Sequence, residues 1–209
     1  MTLNLNKIGL LTRDESCEYP YDEVRELFGR YQIEVILIEE RMTPNHLDMV
    51  VAMGGDGTVL RALDRFPRCP VLAINFGTVG FLTAGDRTDL ALIVELLMDG
   101  RYIVSERLVL NCRYPGGEMH VVNEVMVRAS YKLAFTDVFV DGAEIRTITG
   151  DGVIVGTPTG STGHLLSSGA PIVVPDVRCM ILDGINEYNF SSRALILPPE
   201  AHIRLFISE

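Results

Sequence analysis

Residues 48–63 constrain this chain more than any other stretch. An apolar run, Asp48-Met49-Val50-Val51-Ala52-Met53, stops at Gly54-Gly55-Asp56-Gly57-Thr58, and Val59, Leu60, Ala62 and Leu63 then return at helical spacing. The implied order is strand, glycine-rich turn, helix. In an open parallel sheet that order places the turn at a carboxyl end of the strands, where ligands bind. Glycines let backbone N–H groups approach phosphate oxygens, and the helix that follows offers a positive N-terminus. Asp56 is the odd member, because a carboxylate beside phosphate is repelled unless it binds a cation or accepts a proton. The alternative makes Asp56 a helix N-cap and the glycines a tight turn. Neither GxxxxGK[ST] nor GxGxxG occurs in the run.

Around this turn the first hundred residues alternate strand and helix. Lys7-Ile8-Gly9-Leu10-Leu11 and Ile33-Glu34-Val35-Ile36-Leu37-Ile38 read as buried strands flanking a helical pattern over 21–31. Pro70-Val71-Leu72-Ala73-Ile74-Asn75 supplies a fourth strand, and 90–98 reads as a helix closed by Gly100. This predicts an α/β N-terminal domain with a parallel sheet and right-handed crossovers over 1–100. From 101 to 209 the texture is β-rich. Strand-like segments at 102–114, 119–129 and 133–140 are separated by Pro115-Gly116-Gly117 and Asp141-Gly142. Gly150-Asp151-Gly152, the strand-like Val153-Ile154-Val155 and Gly156-Thr157-Pro158-Thr159-Gly160-Ser161-Thr162-Gly163 then interrupt the pattern. A second, mainly β domain is the expectation.

Composition narrows the partners. A net charge of −10 and a pI near 4.9 argue against nucleic acid or an anionic membrane as a partner, so any phosphate must be held locally. No apolar run reaches the roughly 18 residues of a spanning helix, and no signal peptide opens the chain, which points to the cytoplasm. Cys17, Cys69, Cys112 and Cys179 are scattered thiols without disulfide or CxxC spacing. His46, His120, His164 and His202 show no metal-ligand spacing, so no protein metal site is expected.

The GGDGT run after a strand resembles the nucleotide-binding signature shared by NAD kinases, lipid kinases and phosphofructokinases. Further segments single out NAD kinases. Asn75-Phe76-Gly77-Thr78-Val79-Gly80-Phe81-Leu82-Thr83 is similar to their NxGxxGFLT, and Asn123-Glu124 to their NE pair. Gly150-Asp151-Gly152 and Thr157-Pro158-Thr159-Gly160-Ser161-Thr162 match their GDG and TPTGST. Ser191-Ser192-Arg193 with Leu195-Ile196-Leu197-Pro198-Pro199 resembles their SRPxxxPP. The resemblance implies transfer of the γ-phosphate of ATP, or of phosphate from polyphosphate, to the 2′-hydroxyl of the adenosine ribose of NAD, with Mg2+ carried by the nucleotide.

By the same match Asp56 is the catalytic base, and Gly54, Gly55, Gly57 and Thr58 meet phosphates. Gly57, Phe81, Asn123, Glu124, Asp151, Thr162, Gly163, His164 and Ser167 surround NAD. Phe76, beside a strand end, is read as core. Homo-oligomers, dimeric or tetrameric, are the family habit.

Two departures stand out. Gly163-His164 occupies the place of a usual Ala-Tyr, and Ala170 that of a glycine before Pro171. The chain also stops some tens of residues before the family pattern does, which would leave strand edges open to pairing with another copy. A non-catalytic nucleotide-binding protein and a related lipid or metabolite kinase are the competing readings. The kinase reading expects Asp56 and the stretch from Asp151 to Thr162 to share one dinucleotide-sized crevice.

Overall fold

The computed structural model describes residues 3–13, 20–39, 42, 44–76, 80–130, 132–189 and 192–208. Cys17, Gly77, Thr78, Val79 and Ser191 lie outside the described residues. The chain forms two compact units, Met1–Val104 and Ser105–Glu209.

In the first unit the strands β1 (Lys7–Thr12), β2 (Glu34–Leu37), β3 (Met49–Gly54), β4 (Val71–Asn75) and β5 (Gly85–Asp86) form one sheet in the order β2-β1-β3-β4-β5, with every pairing parallel. Helix α1 (Tyr21–Gly29) links β1 to β2, α2 (Asp56–Arg65) links β3 to β4, and α3 (Leu90–Met98) follows β5. All six residues of β3 are buried, as a central parallel strand covered on both faces requires. Its alternating side chains divide between two cores. Met49, Val51 and Met53 join Val24 and Phe28 of α1 and Leu90 and Val94 of α3, whereas Val50 and Ala52 join Val59 and Ala62 of α2. The apolar period of 2 in the strand thus meets the period of 3.6 in the helices on opposite faces. Phe76 packs against the first of these cores. Gly100, at φ +71, ends α3 in the conformation a side chain disfavours.

The second unit opens without regular structure, and its first strand begins only at Leu110, correcting the expectation of β-structure from 102. A hairpin of β6 (Leu110–Tyr114) and β7 (Gly117–Val121) is followed by two antiparallel sheets. One has the order β13-β12-β11-β8, built from β8 (Glu124–Arg128), β11 (Gly152–Gly156), β12 (Met180–Ile185) and β13 (Leu195–Leu197). The other, β10-β9-β14, joins β9 (Ala134–Val140), β10 (Ala143–Gly150) and β14 (Ile203–Ser208). Val138 and Ile148 of one sheet and Val153 and Leu182 of the other make a shared core. The expected strand over 119–129 is two strands, β7 and β8, because the chain turns at Val122-Asn123. Asp141 and Gly142, both at positive φ, make the tight turn between β9 and β10.

A short 3-10 turn, Thr159–Thr162, and helix α4 (His164–Ser168) follow β11. Leu165 of α4 packs with Ile154, Ala170, Cys179 and Ile181 on the other face of the β11–β12 sheet. The sheet therefore has a helical cover on the side away from β9 and β10.

Candidate functional site

The glycine-rich turn of the first unit sits at the carboxyl end of β3, the central strand of its sheet. Helix α2 begins at Asp56 with Gly55 as its N-cap, so Asp56 is the first helical residue and not the cap. Its carboxylate reaches out of the helix. Oδ2 accepts the Phe81 N–H and Oδ1 the Leu82 N–H, each at 3.0 Å. Gly80 makes that approach possible, since a Cβ there would stand 2.5 Å from Asp56 Oδ1. The tether turns Leu82 into the second core and leaves the Phe81 ring 74% exposed. An exposed phenyl ring on this tethered backbone offers a stacking face.

The glycines divide by role. Gly54 is buried, and a Cβ on it would fall 2.2 Å from the hydroxyl of Thr58, itself buried, so packing alone demands glycine there. Nothing lies within 4 Å of a Cβ built on Gly55 or Gly57. Their bare backbones, with Arg13, Thr58 and Arg61, line an open depression of about 470 Å³. Arg61 donates to the Arg13 carbonyl at 2.8 Å, which holds one guanidinium at the rim. Helix N-terminus, bare backbone and two guanidinium groups together suit an anion with several oxygens. Sequence reasoning missed both arginines. The available signal was topological: Arg13 follows β1, whose Thr12 pairs beside Met53 of β3.

In the second unit the structure gathers Asn123, Glu124, Gly160, Gly163 and His164. Thr157, fully buried, donates its hydroxyl hydrogen to the Val122 carbonyl, and its oxygen accepts the Gly160 N–H at 3.3 Å. The Ser161 hydroxyl lies 2.6 Å from the Pro158 carbonyl and accepts the Val173 N–H at 3.0 Å. The Thr and Ser of the TPTGST segment thus brace the turn from within. Gly160 is obligatory, because a Cβ would meet the Asn123 carbonyl at 2.3 Å. A Cβ on Gly163 would stand 2.9 Å from Glu124 Oε2.

Glu124 is the buried charge of this group, its side chain only 7% exposed. Its Oε1 lies 2.8 Å from His164 Nδ1 and accepts the His164 N–H at 3.3 Å. Glu124 Oε2 and Asn123 Oδ1 are buried without a hydrogen-bond partner. The Thr162 hydroxyl turns back to the Thr159 carbonyl at 3.3 Å, and Ser167 is exposed on α4. Asp151 is elsewhere. It precedes Gly152, which pairs with Arg128, whereas Gly156 at the other end of β11 pairs with Glu124. Four strand steps separate those ends, about 13 Å. There Asp151 accepts a hydrogen bond from Asn186 at 2.7 Å and faces Arg128 at 3.9 Å. Asn186, at φ 48, was not singled out from sequence.

Among the described residues no group of three or more His, Cys, Asp or Glu side chains is arranged to hold a metal ion, and no helix is long and apolar enough to cross a membrane.

Two family models match the chain: the ATP-NAD kinase N-terminal domain over residues 8–102 and the ATP-NAD kinase C-terminal domain over 122–209. An NAD kinase of Clostridium beijerinckii is 34% identical over 195 residues, 87% of this chain and 68% of that protein. One from Thermoanaerobacter is 36% identical over 172 residues, 78% of this chain and 60% of the relative. Among solved structures, yeast NADH kinase complexed with NADH superposes with a TM-score of 0.85 at 26% identity, over 98% of this chain and 69% of that one. An NAD kinase of Archaeoglobus fulgidus in complex with ATP gives 0.82 at 28%, over 96% and 80%.

Proposed function

This chain belongs to the ATP-NAD kinase family, and from that premise we propose that it transfers the γ-phosphate of ATP to the 2′-hydroxyl of the adenosine ribose of NAD, forming NADP. The observation that carries the reading is the depression at the start of α2, where open backbone at Gly55 and Gly57 flanks the pinned carboxylate of Asp56. In it the donor's phosphates meet the backbone of Gly55 and Gly57, the Thr58 hydroxyl and the guanidinium groups of Arg13 and Arg61. Asn123, Glu124, Gly163 and His164 belong to the acceptor nucleotide, as do Phe81, Asp151, Thr162 and Ser167.

The chemistry asked of the protein is modest. The ribose oxygen bonds to the γ-phosphorus as the bond to the β,γ-bridging oxygen breaks, ADP leaves, and the hydroxyl proton passes to Asp56. Two of the roughly four lone-pair positions of that carboxylate are taken by the Phe81 and Leu82 N–H groups, which leaves room for a hydroxyl hydrogen. Pinned in this way, Asp56 loses no rotamer freedom when the acceptor arrives, so positioning contributes more than basicity. Asp56 is a hard oxygen donor between two glycines of the depression and fits Mg2+ in kind. When bound on the donor's phosphates, the ion neutralises charge on the transferred group.

The test is incubation of purified protein with Mg2+, ATP and NAD, read by an NADP-specific cycling assay. Asp56→Asn should lower NADP formation by about 10²- to 10⁴-fold. Turnover equal to the parent's in that variant would remove Asp56 from the reaction, and binding without turnover in the parent would favour the non-catalytic reading. The same assay with polyphosphate in place of ATP decides the donor. Assembly as a dimer or tetramer in the cytoplasm completes the proposal, and sedimentation of the purified chain tests the oligomer.

A further inference from the structure

The Glu124 side chain is only 7% exposed and turns its carboxylate inward. Oε2 is buried against the bare backbones of Gly160 and Gly163, and Oε1 already takes two donors from His164. A carboxylate only accepts, so the proton between Oε1 and Nδ1, 2.8 Å apart, sits on Nδ1. In the neutral ring that leaves Nε2 as a bare acceptor on a side chain 67% exposed. A carboxylate that accepts from one ring nitrogen fixes both the tautomer and the orientation of an imidazole.

Both departures in the 163–164 pair follow from this single contact. The histidine supplies the donor, and the glycine leaves room for the carboxylate, since a Cβ at 163 would stand 2.9 Å from Oε2 and 3.1 Å from Oε1.

We infer that in this chain the acceptor nucleotide is met by His164 Nε2, accepting from a ribose hydroxyl or the adenine amine, and that Glu124 is a positioning residue acting through His164. The inference rests on the acceptor reading above. It replaces direct contact between the Glu124 carboxylate and the nucleotide by contact at one remove.

The test is a double-mutant cycle on the full chain, with NAD binding measured by calorimetry for the parent, His164→Ala, Glu124→Gln and the double variant. His164→Ala should weaken NAD binding about tenfold, the loss of one good hydrogen bond. Glu124→Gln, which keeps an acceptor for Nδ1 without the charge, should weaken it about threefold in the parent and less than about twofold beside His164→Ala. Equal losses from Glu124→Gln in both backgrounds would show Glu124 touching the nucleotide itself and overturn the inference.

A second readout needs neither nucleotide nor variant. Long-range proton–nitrogen correlation of the imidazoles at about pH 8 should find the His164 proton on Nδ1, and a proton on Nε2 overturns the assignment. Additive losses in a chain that forms NADP sink this inference alone. A coupled cycle in a chain that forms none sinks the kinase reading alone.

Discussion

Asp56 shows how much one side chain can hold together. Its two oxygens fasten residues 81 and 82 to the first turn of α2, so the residue named for proton transfer also shapes the loop beside it. An asparagine there keeps one acceptor and loses the other, a loss of about 1 kcal/mol at a partly exposed site, and a small drop in thermal stability should accompany the loss of turnover in Asp56→Asn. The glycines separate binding from folding more cleanly. Gly55→Ala meets no atom within 4 Å and should leave the melting temperature within about 1 °C, while the methyl group enters the depression and raises the KM for ATP several-fold. Gly80→Ala places its Cβ 2.5 Å from the Asp56 carboxylate, and should lower kcat by displacing it even where the protein stays folded. Steady-state kinetics beside thermal melts of the two variants distinguish these outcomes. A Gly55→Ala variant with unaltered KM for ATP would remove the depression from the donor site.

At the scale of elements, the turn Thr159–Thr162 is held by hydroxyls more than by apolar packing. Thr157 joins it to Val122 and hence to the start of β8, which carries Glu124. Thr157→Val keeps the volume and strands a buried carbonyl and a buried N–H, so urea unfolding should show a loss of about 1–3 kcal/mol, and NAD binding should weaken with it. Strand β12 carries a different burden. Asp183 is 7% exposed, and burial pushes its carboxyl above its ordinary value near 3.8 against the pull of the Gly184 N–H, Ser168 and Arg146. A raised carboxyl binds more protons folded than unfolded, so its contribution is fully present below about pH 4 and is lost as pH rises through the native value. Asp183→Asn, whose carbonyl can still accept from Gly184, should therefore stabilise the protein more at pH 8 than at about pH 3, below the ordinary value. Melting curves across that range check the sign, and an equal shift at both ends would exclude desolvation as the cause.

The whole molecule is two units, each with its own core, and the two substrates should mark different segments. Hydrogen exchange on the full chain with MgATP should slow amides around 55–61, and NAD should slow those around 122–124 and 159–168. Protection of 159–168 by ATP alone, with none from NAD, would reverse the assignment of these segments to donor and acceptor. The chain spans 68% of the Clostridium protein and 60% of the Thermoanaerobacter one, so these maps also report what this length of chain binds by itself.

Much of this was legible in the linear chain because it is periodic or local. Buried parallel strands read as apolar runs and helices as stripes, and the GGDGT turn declared itself by glycine; α3 was found to the residue. The motifs, in order, were enough to indicate the family. What the chain alone could not reveal are contacts made across distance. Asp56 grips residues 25 and 26 positions on, Arg13 and Arg61 meet 48 apart, and Glu124 pairs with His164 over 40. Nor could it say that Gly54 serves packing while Gly55 faces solvent, or that Asp151 lies at the far end of β11 from Glu124. Local pattern follows from propensity and the alternation of faces, which neighbours in sequence decide. A hydrogen bond between remote residues is decided by sheet order and register, which exist only once the chain has folded.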